Sequence, residues 1–142
     1  PASACIRAQV VTFLWRAAGA PEPSITSNPF EDVLETDYFY KAVLWAYEKG
    51  ITAGVDDTHF GPAQPCSRAQ VVTFLWRAAG APEASAESAF TDVTDPDAFY
   101  YDAVLWAVEN GITAGMGDGT FGINAVCNRA QIVTFLYRVY AV

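Results

Sequence analysis

The strongest constraint on the fold of this chain is an internal repeat with a period of 61 residues. The stretch that begins at Cys5 reads Cys-Ile-Arg-Ala-Gln-Val-Val-Thr-Phe-Leu-Trp-Arg, and close copies begin at Cys66 and Cys127. A second block, Ala-Val-Leu-Trp-Ala followed by a Gly-Ile-Thr-Ala-Gly segment, begins at Ala42 and again at Ala103. Repeated units of this size bury their apolar faces only against one another. The copies are therefore expected to share one core.

Each complete unit has the same order: Phe-x-Asp-Val, a first helix, a glycine-rich loop, a second helix and a linker. Residues 1–19 hold the second half of one unit, and residues 30–80 and 90–142 are complete units. The linkers at 20–29 and 81–89 are rich in proline, serine and small residues. The sequence thus predicts an all-α fold of tandem helix–loop–helix repeats. The chain begins without methionine or a signal region, so it is expected to be a fragment of a longer protein.

The helix boundaries can be predicted from glycines and capping residues. The first helix is expected over Tyr38–Lys49 and its copy over Phe99–Asn110, because a glycine follows each of them. The second helix is expected to begin at Ser67 and at Asn128, since both residues are good N-caps and a glutamine follows three places later. Ile6 holds the same place in the first copy and cannot cap a helix with its side chain.

Composition excludes several classes of function. The 142 residues carry a formal charge of −8, which argues against binding to nucleic acid or to an anionic membrane surface. No apolar run approaches the ~18 residues of a membrane span. A catalytic triad or a zinc site that uses histidine would need to centre on His59, the only histidine. Its counterpart in the next unit is Thr120, so a surface loop residue is the favoured interpretation.

The repeated motifs resemble the S-layer homology domain. The resemblance rests on Phe-x-Asp-Val, the Ala-Val-Leu-Trp helix, Asp-Gly-Thr-Phe and the Ser-Arg-Ala-Gln or Asn-Arg-Ala-Gln segment, and it covers nearly the whole chain outside the linkers. It implies three repeats packed as a pseudo-threefold helical bundle, with the first repeat incomplete here. It also implies a non-catalytic extracellular module, without cofactor or metal, that binds an acidic and often pyruvate-bearing polysaccharide of the bacterial cell wall or S-layer.

The resemblance also implies the ligand-binding residues. The family's Thr-Arg-Ala-Glu or Thr-Arg-Ala-Gln signature is matched in its arginine and its last position, and the loop glycines would let the backbone approach a ligand closely. The predicted site residues are Arg7, Arg68, Arg129, Gln9, Gln70, Gln131, Gly54 and Gly115. The family often has Arg-Pro after the Asp-Gly-Thr-Phe loop, whereas this chain has Gly61-Pro62 and Gly122-Ile123 there. One ligand-binding cation of the family is therefore missing.

The signature arginines need an electrostatic partner whatever their function. Arg68 and Arg129 fall in the first turn of a helix, where a cation opposes the helix dipole. Two partners remain open: a structural carboxylate such as Asp32 or Asp92, or an anionic ligand held by the guanidinium fork. The arginines nine residues further along lie at helix ends, where a solvated or ion-paired role is expected.

Three further residue classes are interpreted mainly as structural. The three cysteines are expected to be buried free thiols, too far apart to bond, and a metal site built from all three is disfavoured. The tryptophans fit helical core patterns, while the aromatic cluster that opens each first helix is expected to leave some rings exposed for stacking on a sugar. Asp56, Asp57 and Asp118 match turns better than a calcium loop.

Two rival functions follow from the same sequence. A structural or assembly module would oligomerise through the incomplete first repeat, with a partner chain supplying the missing helix. A hydrolase acting on wall glycan is less favoured, because no pair of acids stands out beside a matching aromatic cleft.

Overall fold

The computed structural model describes residues 4–84 and 87–140, and within these ranges the ordered elements are helical. The five helices are α1 (Arg7–Ala17), α2 (Tyr40–Glu48), α3 (Arg68–Ala78), α4 (Tyr101–Glu109) and α5 (Arg129–Tyr140). The predicted all-α fold is confirmed. Each first helix is shorter than predicted, because it begins two residues later and ends one residue earlier.

Local chemistry accounts for the helix ends. Ser67 accepts a hydrogen bond from the Gln70 backbone N–H at 3.1 Å, and Gln70 Oε1 accepts one from the Ser67 N–H at 2.9 Å. This is the predicted capping box. Ile6 gives α1 no side-chain cap, and the Gln9 N–H donates instead to the Ile6 backbone carbonyl at 3.0 Å. After α2 the chain turns at Gly50, whose φ of +73° is unfavourable for other residues.

The units pack in a fixed order. The second helix of one unit lies against the first helix of the next, so α1 packs on α2 and α3 packs on α4. The second helices α1, α3 and α5 also contact one another. The shared core includes Leu14, Val43, Val72, Val104 and Ile132, each no more than 1% exposed. Within the described ranges, no first helix packs on α5.

The three cysteines mark the pseudo-threefold centre. The Cys66 N–H donates to the Cys5 carbonyl at 3.0 Å, the Cys127 N–H to the Cys66 carbonyl at 3.2 Å, and the Cys5 N–H to the Cys127 carbonyl at 2.8 Å. This closed ring of backbone hydrogen bonds joins all three units. Three isolated β-bridges surround it, one between each pair of the three units. Residues from distant parts of the sequence thus fix the relative positions of the repeats.

The cysteine side chains are free and buried, as predicted. The reason expected for this, that the cysteines lie too far apart to bond, does not hold for their backbones, which are hydrogen-bonded to one another. The predicted tryptophan core is confirmed for Trp45 and Trp106, which are 6% and 8% exposed. Trp15 and Trp76 are only half-buried.

Candidate functional site

Arg7 of the first unit reaches into the loop of the second unit. It is 4% exposed, and its Nε donates to the Phe60 carbonyl at 2.9 Å. The guanidinium carbon lies 4.8 Å from the centroid of the Phe60 ring and 5.2 Å from that of Phe74. Burial lowers the pKa of Arg7 from its ordinary value. The carbonyl and the two aromatic faces offset the cost of burying the cation near a helix N-terminus.

Arg68 repeats this arrangement one unit further along. It is also 4% exposed, its Nε donates to the Phe121 carbonyl at 2.9 Å, and it lies over the rings of Phe121 and Phe135 at 4.7 and 5.9 Å. Its Nη2 also donates to Thr113 Oγ1 at 3.1 Å. The matching hydroxyl beside Arg7, on Thr52, accepts instead from a backbone N–H. Within the described ranges, the Nη groups of Arg7 therefore have no hydrogen-bond partner.

Neither Asp32 nor Asp92 is hydrogen-bonded to a signature arginine. Asp32 accepts from the backbone N–H groups of Phe60 and Gly61 at 2.8 and 2.9 Å, and Asp92 makes the equivalent bonds in the next unit. The carboxylates therefore hold the loops whose carbonyls receive the arginines. The structural-carboxylate alternative is wrong as a hydrogen bond, although the charges of Asp32 and Asp92 still partly oppose the lowering of the pKa of Arg7 and of Arg68 that burial causes.

Arg129 lies at the third equivalent position and has a different environment. It is exposed, and its guanidinium lies 5.3 Å from the centroid of the Phe13 ring. By the order of the other two copies, its partner loop would belong to the missing first half of unit one. Gln9 on α1 lies at the same open junction, where its Oε1 accepts from the Ile6 N–H at 2.9 Å.

A cavity of about 440 Å³ opens where Arg7, the second-unit loop, α3 and the start of the third unit meet. We call it the Arg7 groove; its lining residues are Arg7, Thr52, Ala53, Gly54, Val55, Gln70, Thr73, Phe74, Arg77 and Phe99. Two of these are arginines and none is acidic. No buried side-chain nitrogen in the described ranges lacks a partner, so the free Nη groups of Arg7 are accessible from the groove. The groove is therefore cationic in a protein of charge −8.

The predicted glutamine and glycine lie in this groove, each with a structural role as well. Gln70 uses its Oε1 for the capping box and retains its amide N–H groups. Gly54 has a φ of +94°, and a Cβ there would come within 2.6 Å of the His59 carbonyl and of the Phe30 ring. Gly115 has the same constraint, with the Phe90 ring 2.7 Å away. The loop itself thus requires these glycines, and close approach to a ligand stays a prediction.

The eight predicted residues fall into three groups. Arg7, Gln70 and Gly54 meet in the complete groove. Arg68, Gln131 and Gly115 belong to the next unit boundary, which within the described ranges lacks a following aromatic residue equivalent to Phe99. Arg129 and Gln9 lie at the open boundary, which lacks the loop.

Sequence reasoning missed Arg77, which was assigned to a solvated or ion-paired helix end. Its Nη1 donates to the Ile51 carbonyl at 3.1 Å, and burial lowers its pKa. Arg138 makes the matching bond to the Ile112 carbonyl at 2.7 Å. Both arginines hold the end of a first helix, and Arg77 also lines the groove. Phe99 was signalled by the aromatic cluster, and its ring is 55% exposed.

Other candidate sites are explained by local structure. Asp56 and Asp118 accept from the backbone N–H groups of Thr58 and Thr120 at 2.9 and 3.0 Å, which confirms turns. His59 lies on the surface beside Asp56, and this contact raises its pKa.

Residues 4–84 and 87–140 contain no group of three metal-ligating side chains arranged around a common point. In the same ranges, no helix has the length and hydropathy of a membrane span.

Comparison with known proteins gives a consistent result. The S-layer homology domain profile matches residues 29–72 and 89–133. A cell surface protein of Thermoanaerobacter kivui is 34% identical over 117 residues, covering 79% of this chain and 15% of that protein. The surface-layer 125 kDa protein of Lysinibacillus sphaericus is 33% identical over 113 residues, covering 80% and 9%. An endoglucanase of Bacillus sp. (strain KSM-635) is 28% identical over 124 residues, covering 87% and 13%. The chain thus spans between 9% and 15% of the length of these relatives.

Proposed function

Because this chain belongs to the S-layer homology domain family, we propose that it is a non-catalytic anchoring module that binds an acidic, pyruvate-bearing cell-wall polysaccharide in the Arg7 groove. Domains of this family occur in cell-surface and S-layer proteins of the bacterial cell wall, and the chain is a component of that surface. Family domains anchor such proteins to the wall. The identity of the glycan and the groove that binds it are the parts proposed here.

The carrying observation is the charge of the groove. Arg7 and Arg77 line it from two different helices, and no carboxylate lines it. A guanidinium with free Nη groups can form paired hydrogen bonds with a carboxylate, and partial burial makes such bonds stronger than at an open surface. The overall negative charge would repel other polyanions, so binding would depend on this local arrangement.

The remaining lining residues suit the rest of a sugar. The free amide N–H groups of Gln70 can donate to hydroxyl or ring oxygens. The exposed ring of Phe99 offers an apolar face at the mouth of the groove. A volume of about 440 Å³ is adequate for one or two sugar rings.

The test is co-sedimentation with purified wall polysaccharide attached to peptidoglycan, with and without chemical removal of its acidic substituents. We expect the wild type to sediment with intact glycan, to bind more weakly as salt increases, and to remain in solution with stripped glycan. We expect Arg7→Lys and Arg77→Gln each to reduce affinity at least tenfold, because lysine cannot reproduce the paired geometry and glutamine lacks the charge.

Two matched controls separate binding from folding. Arg68→Lys disturbs carbonyl and ring contacts equivalent to those that Arg7→Lys disturbs, one unit further along. Arg138→Gln likewise breaks the helix-end bond equivalent to the one that Arg77→Gln breaks. Neither control residue lines the Arg7 groove. The proposal requires each control to keep near wild-type binding. Equal losses within each pair, or undiminished binding to stripped glycan, would refute it.

The second candidate, an assembly role, is favoured by the apolar face of α5. Val133 is 52% exposed, whereas its counterparts Val11 and Val72 are fully buried, and Tyr137 is 71% exposed. In this role a partner chain would cover the face and the protein would form a homo-oligomer. Light scattering tests this role, since a monomer at working concentration would exclude homo-oligomer assembly.

The endoglucanase relative does not make this chain an enzyme, because the matched segment is 13% of that protein. We expect the isolated chain to release no reducing sugar from wall preparations. Measurable turnover by the pure chain would overturn the non-catalytic assignment.

A further inference from the structure

A second cavity, separate from the Arg7 groove, lies between the end of α1 and the segment that leads into α2. Its volume is about 340 Å³, and it shares no lining residue with the groove. We call it the Trp15 pocket; it is lined by Trp15, Glu35, Asp37, Tyr38, Tyr40 and Lys41. Three aromatic rings and charged groups of both signs line a space large enough for one sugar ring.

The aromatic walls are held in place by contacts outside the pocket. The indole N–H of Trp15 donates to the Pro21 carbonyl at 2.8 Å, so its polar atom is already satisfied. Tyr38 is 60% exposed, and its ring meets that of Phe39 edge-on, with centroids 5.0 Å apart at 88°. Rings that are already ordered lose little conformational freedom when a ligand stacks on them. An exposed, fixed aromatic surface of this kind suits the apolar face of a pyranose.

The polar groups provide both acceptors and donors. Asp37 accepts from the Leu34 N–H through Oδ2 at 2.8 Å, which leaves its second oxygen available. The structure gives Glu35 no partner within the described ranges. Lys41 is bonded to Glu22 at 2.6 Å and retains two further N–H groups. A sugar hydroxyl both donates and accepts, so a mixed set of this kind matches it.

Charge distinguishes this pocket from the groove. Two carboxylates line it, and its one lining cation is paired with a further carboxylate at Glu22. Burial raises the pKa of Tyr38, and the nearby charge of Arg16 opposes this only in part, so the phenol stays uncharged. Counting Glu35, Asp37 and Glu22 against Lys41 and Arg16, the surroundings carry a small excess of negative charge. An anionic sugar would be repelled by Glu35 and Asp37, whereas an uncharged one would not.

The third unit shows which part of the pocket is only structural. Trp76 donates to the Pro82 carbonyl at 2.8 Å and Phe99 meets Tyr100 edge-on at 5.0 Å, so the aromatic arrangement is repeated. Two of the polar residues are not repeated: Ala98 replaces Asp37, and the oppositely charged Asp102 replaces Lys41. Asp37 and Lys41 are therefore specific to the second unit and are not required by the fold.

From these observations we propose that the Trp15 pocket binds an uncharged pyranose ring, stacked on Tyr38 and Trp15 and hydrogen-bonded to Glu35, Asp37 and Lys41. This site does not depend on the acidic-glycan proposal, since it uses different residues and prefers an uncharged sugar to an anionic one. On a wall polysaccharide of mixed composition, it would select a neutral residue beside the acidic one.

The test is an NMR titration of the ¹⁵N-labelled chain with methyl β-glucopyranoside, N-acetylglucosamine and glucuronate. We expect the two neutral sugars to give saturable shifts at the Trp15 indole N–H and at the amides around Tyr38, with a dissociation constant on the order of millimolar. Glucuronate is expected to bind this pocket at least fivefold more weakly. Any shifts that it causes at Thr52 and Gly54 report the Arg7 groove instead.

Variants of the lining residues complete the test. Tyr38→Leu and Glu35→Gln should each weaken neutral-sugar binding at least fivefold, and neither residue is needed for a helix cap. Tyr137→Leu removes an exposed tyrosine elsewhere and Glu83→Gln an exposed acid elsewhere, so both should bind within twofold of wild type. The proposal is overturned if no saturable shift reaches these residues at concentrations up to about 50 mM, if glucuronate binds the pocket equally well, or if Tyr38→Leu binds normally.

Discussion

At the scale of single residues, the sequence predicted that the signature arginines need a partner but not which partner. The partner of Arg7 is the carbonyl of Phe60, a residue 53 positions away on another repeat. No local pattern encodes such a contact. Its repetition at the same separation between Arg68 and Phe121 shows that it belongs to the repeat itself. The two partners that the sequence suggested for these arginines, a carboxylate or an anionic ligand, therefore did not include main-chain carbonyls and aromatic faces.

Asp92 should contribute to stability in a pH-dependent way. Burial alone would raise the pKa of Asp92, but the backbone N–H groups of Phe121, Gly122 and Ile123 outweigh this and lower it. A lowered pKa in the folded state means that the contribution is complete above the unfolded value of about 3.9 and is lost as pH falls through the folded value. We expect Asp92→Ala to cost about 1–3 kcal/mol at pH 7.

Urea denaturation at pH 7 and at pH 3 measures this contribution. The difference in unfolding free energy between wild type and Asp92→Ala should shrink at the lower pH. Asp57→Ala, an exposed aspartate on a loop, serves as the control and should change stability by less than about 0.5 kcal/mol. A difference that stays constant with pH would mean that the charge of Asp92 is unimportant.

The cysteines should be unreactive in the folded protein. Burial raises the pKa of the Cys66 thiol to about 12 and that of Cys127 to about 11, and it also raises the pKa of Cys5. Because the thiolate is the reactive form, a disulfide reagent at pH 8 should modify none of the three within minutes, and all three in urea. Rapid labelling of the native protein would show that the centre opens.

At the scale of helices, the sequence located every element and erred only at the ends. The aromatic residues before α2 and α4 fit a helical pattern, yet Tyr38 and Phe99 precede the helices. The segments before the helices turn first, as when the Tyr40 N–H donates to the Asp37 carbonyl at 3.1 Å. A hydrophobic pattern cannot distinguish this turn from a helical one.

The side-chain cap of α3 should make a measurable contribution to the stability of the protein. Ser67→Ala removes the acceptor for the Gln70 N–H and should lower the unfolding free energy by about 1 kcal/mol. Ser67→Asn is the matched control, because Asn128 caps α5 in the same way at 2.9 Å. The asparagine variant should stay within about 0.5 kcal/mol of wild type in the same denaturation experiment. If both variants lose equal stability, Ser67 contributes to the unfolding free energy through packing between repeats and not through its cap.

At the scale of the whole molecule, the 61-residue period predicted shared packing of the repeats, and the resemblance predicted the pseudo-threefold arrangement. The consequence for the site could not be predicted from one repeat. The Arg7 groove is built from three successive units, and because the first unit is incomplete, the described residues form this one complete groove instead of three equivalent ones. The arginine copies that are equivalent in sequence thus become inequivalent in structure.

The open junction at α5 leads to the last prediction. The first-turn N–H groups of Arg7 and Ala8 donate to the carbonyls of Gln64 and Pro62, in the loop of the next unit. The equivalent groups of Arg129 and Ala130 have no such loop within the described ranges. Joining a second copy of residues 30–65 ahead of Cys5 reproduces the natural junction before Cys66 and supplies this loop and its helix.

This fusion should cover the apolar face of α5 and complete the third groove. Burial of the Val133 side chain alone is worth roughly 1.5 kcal/mol or more, so we expect the melting temperature to rise by roughly 5 °C or more. Hydrogen exchange at the Arg129 and Ala130 amides should slow to the rates of Arg7 and Ala8. A fusion in which Val133→Asp disrupts the new contact is the control and should lose the gain. If the melting temperature and both exchange rates stay unchanged, the added segment does not dock on α5, and the equivalence of the three junctions is wrong.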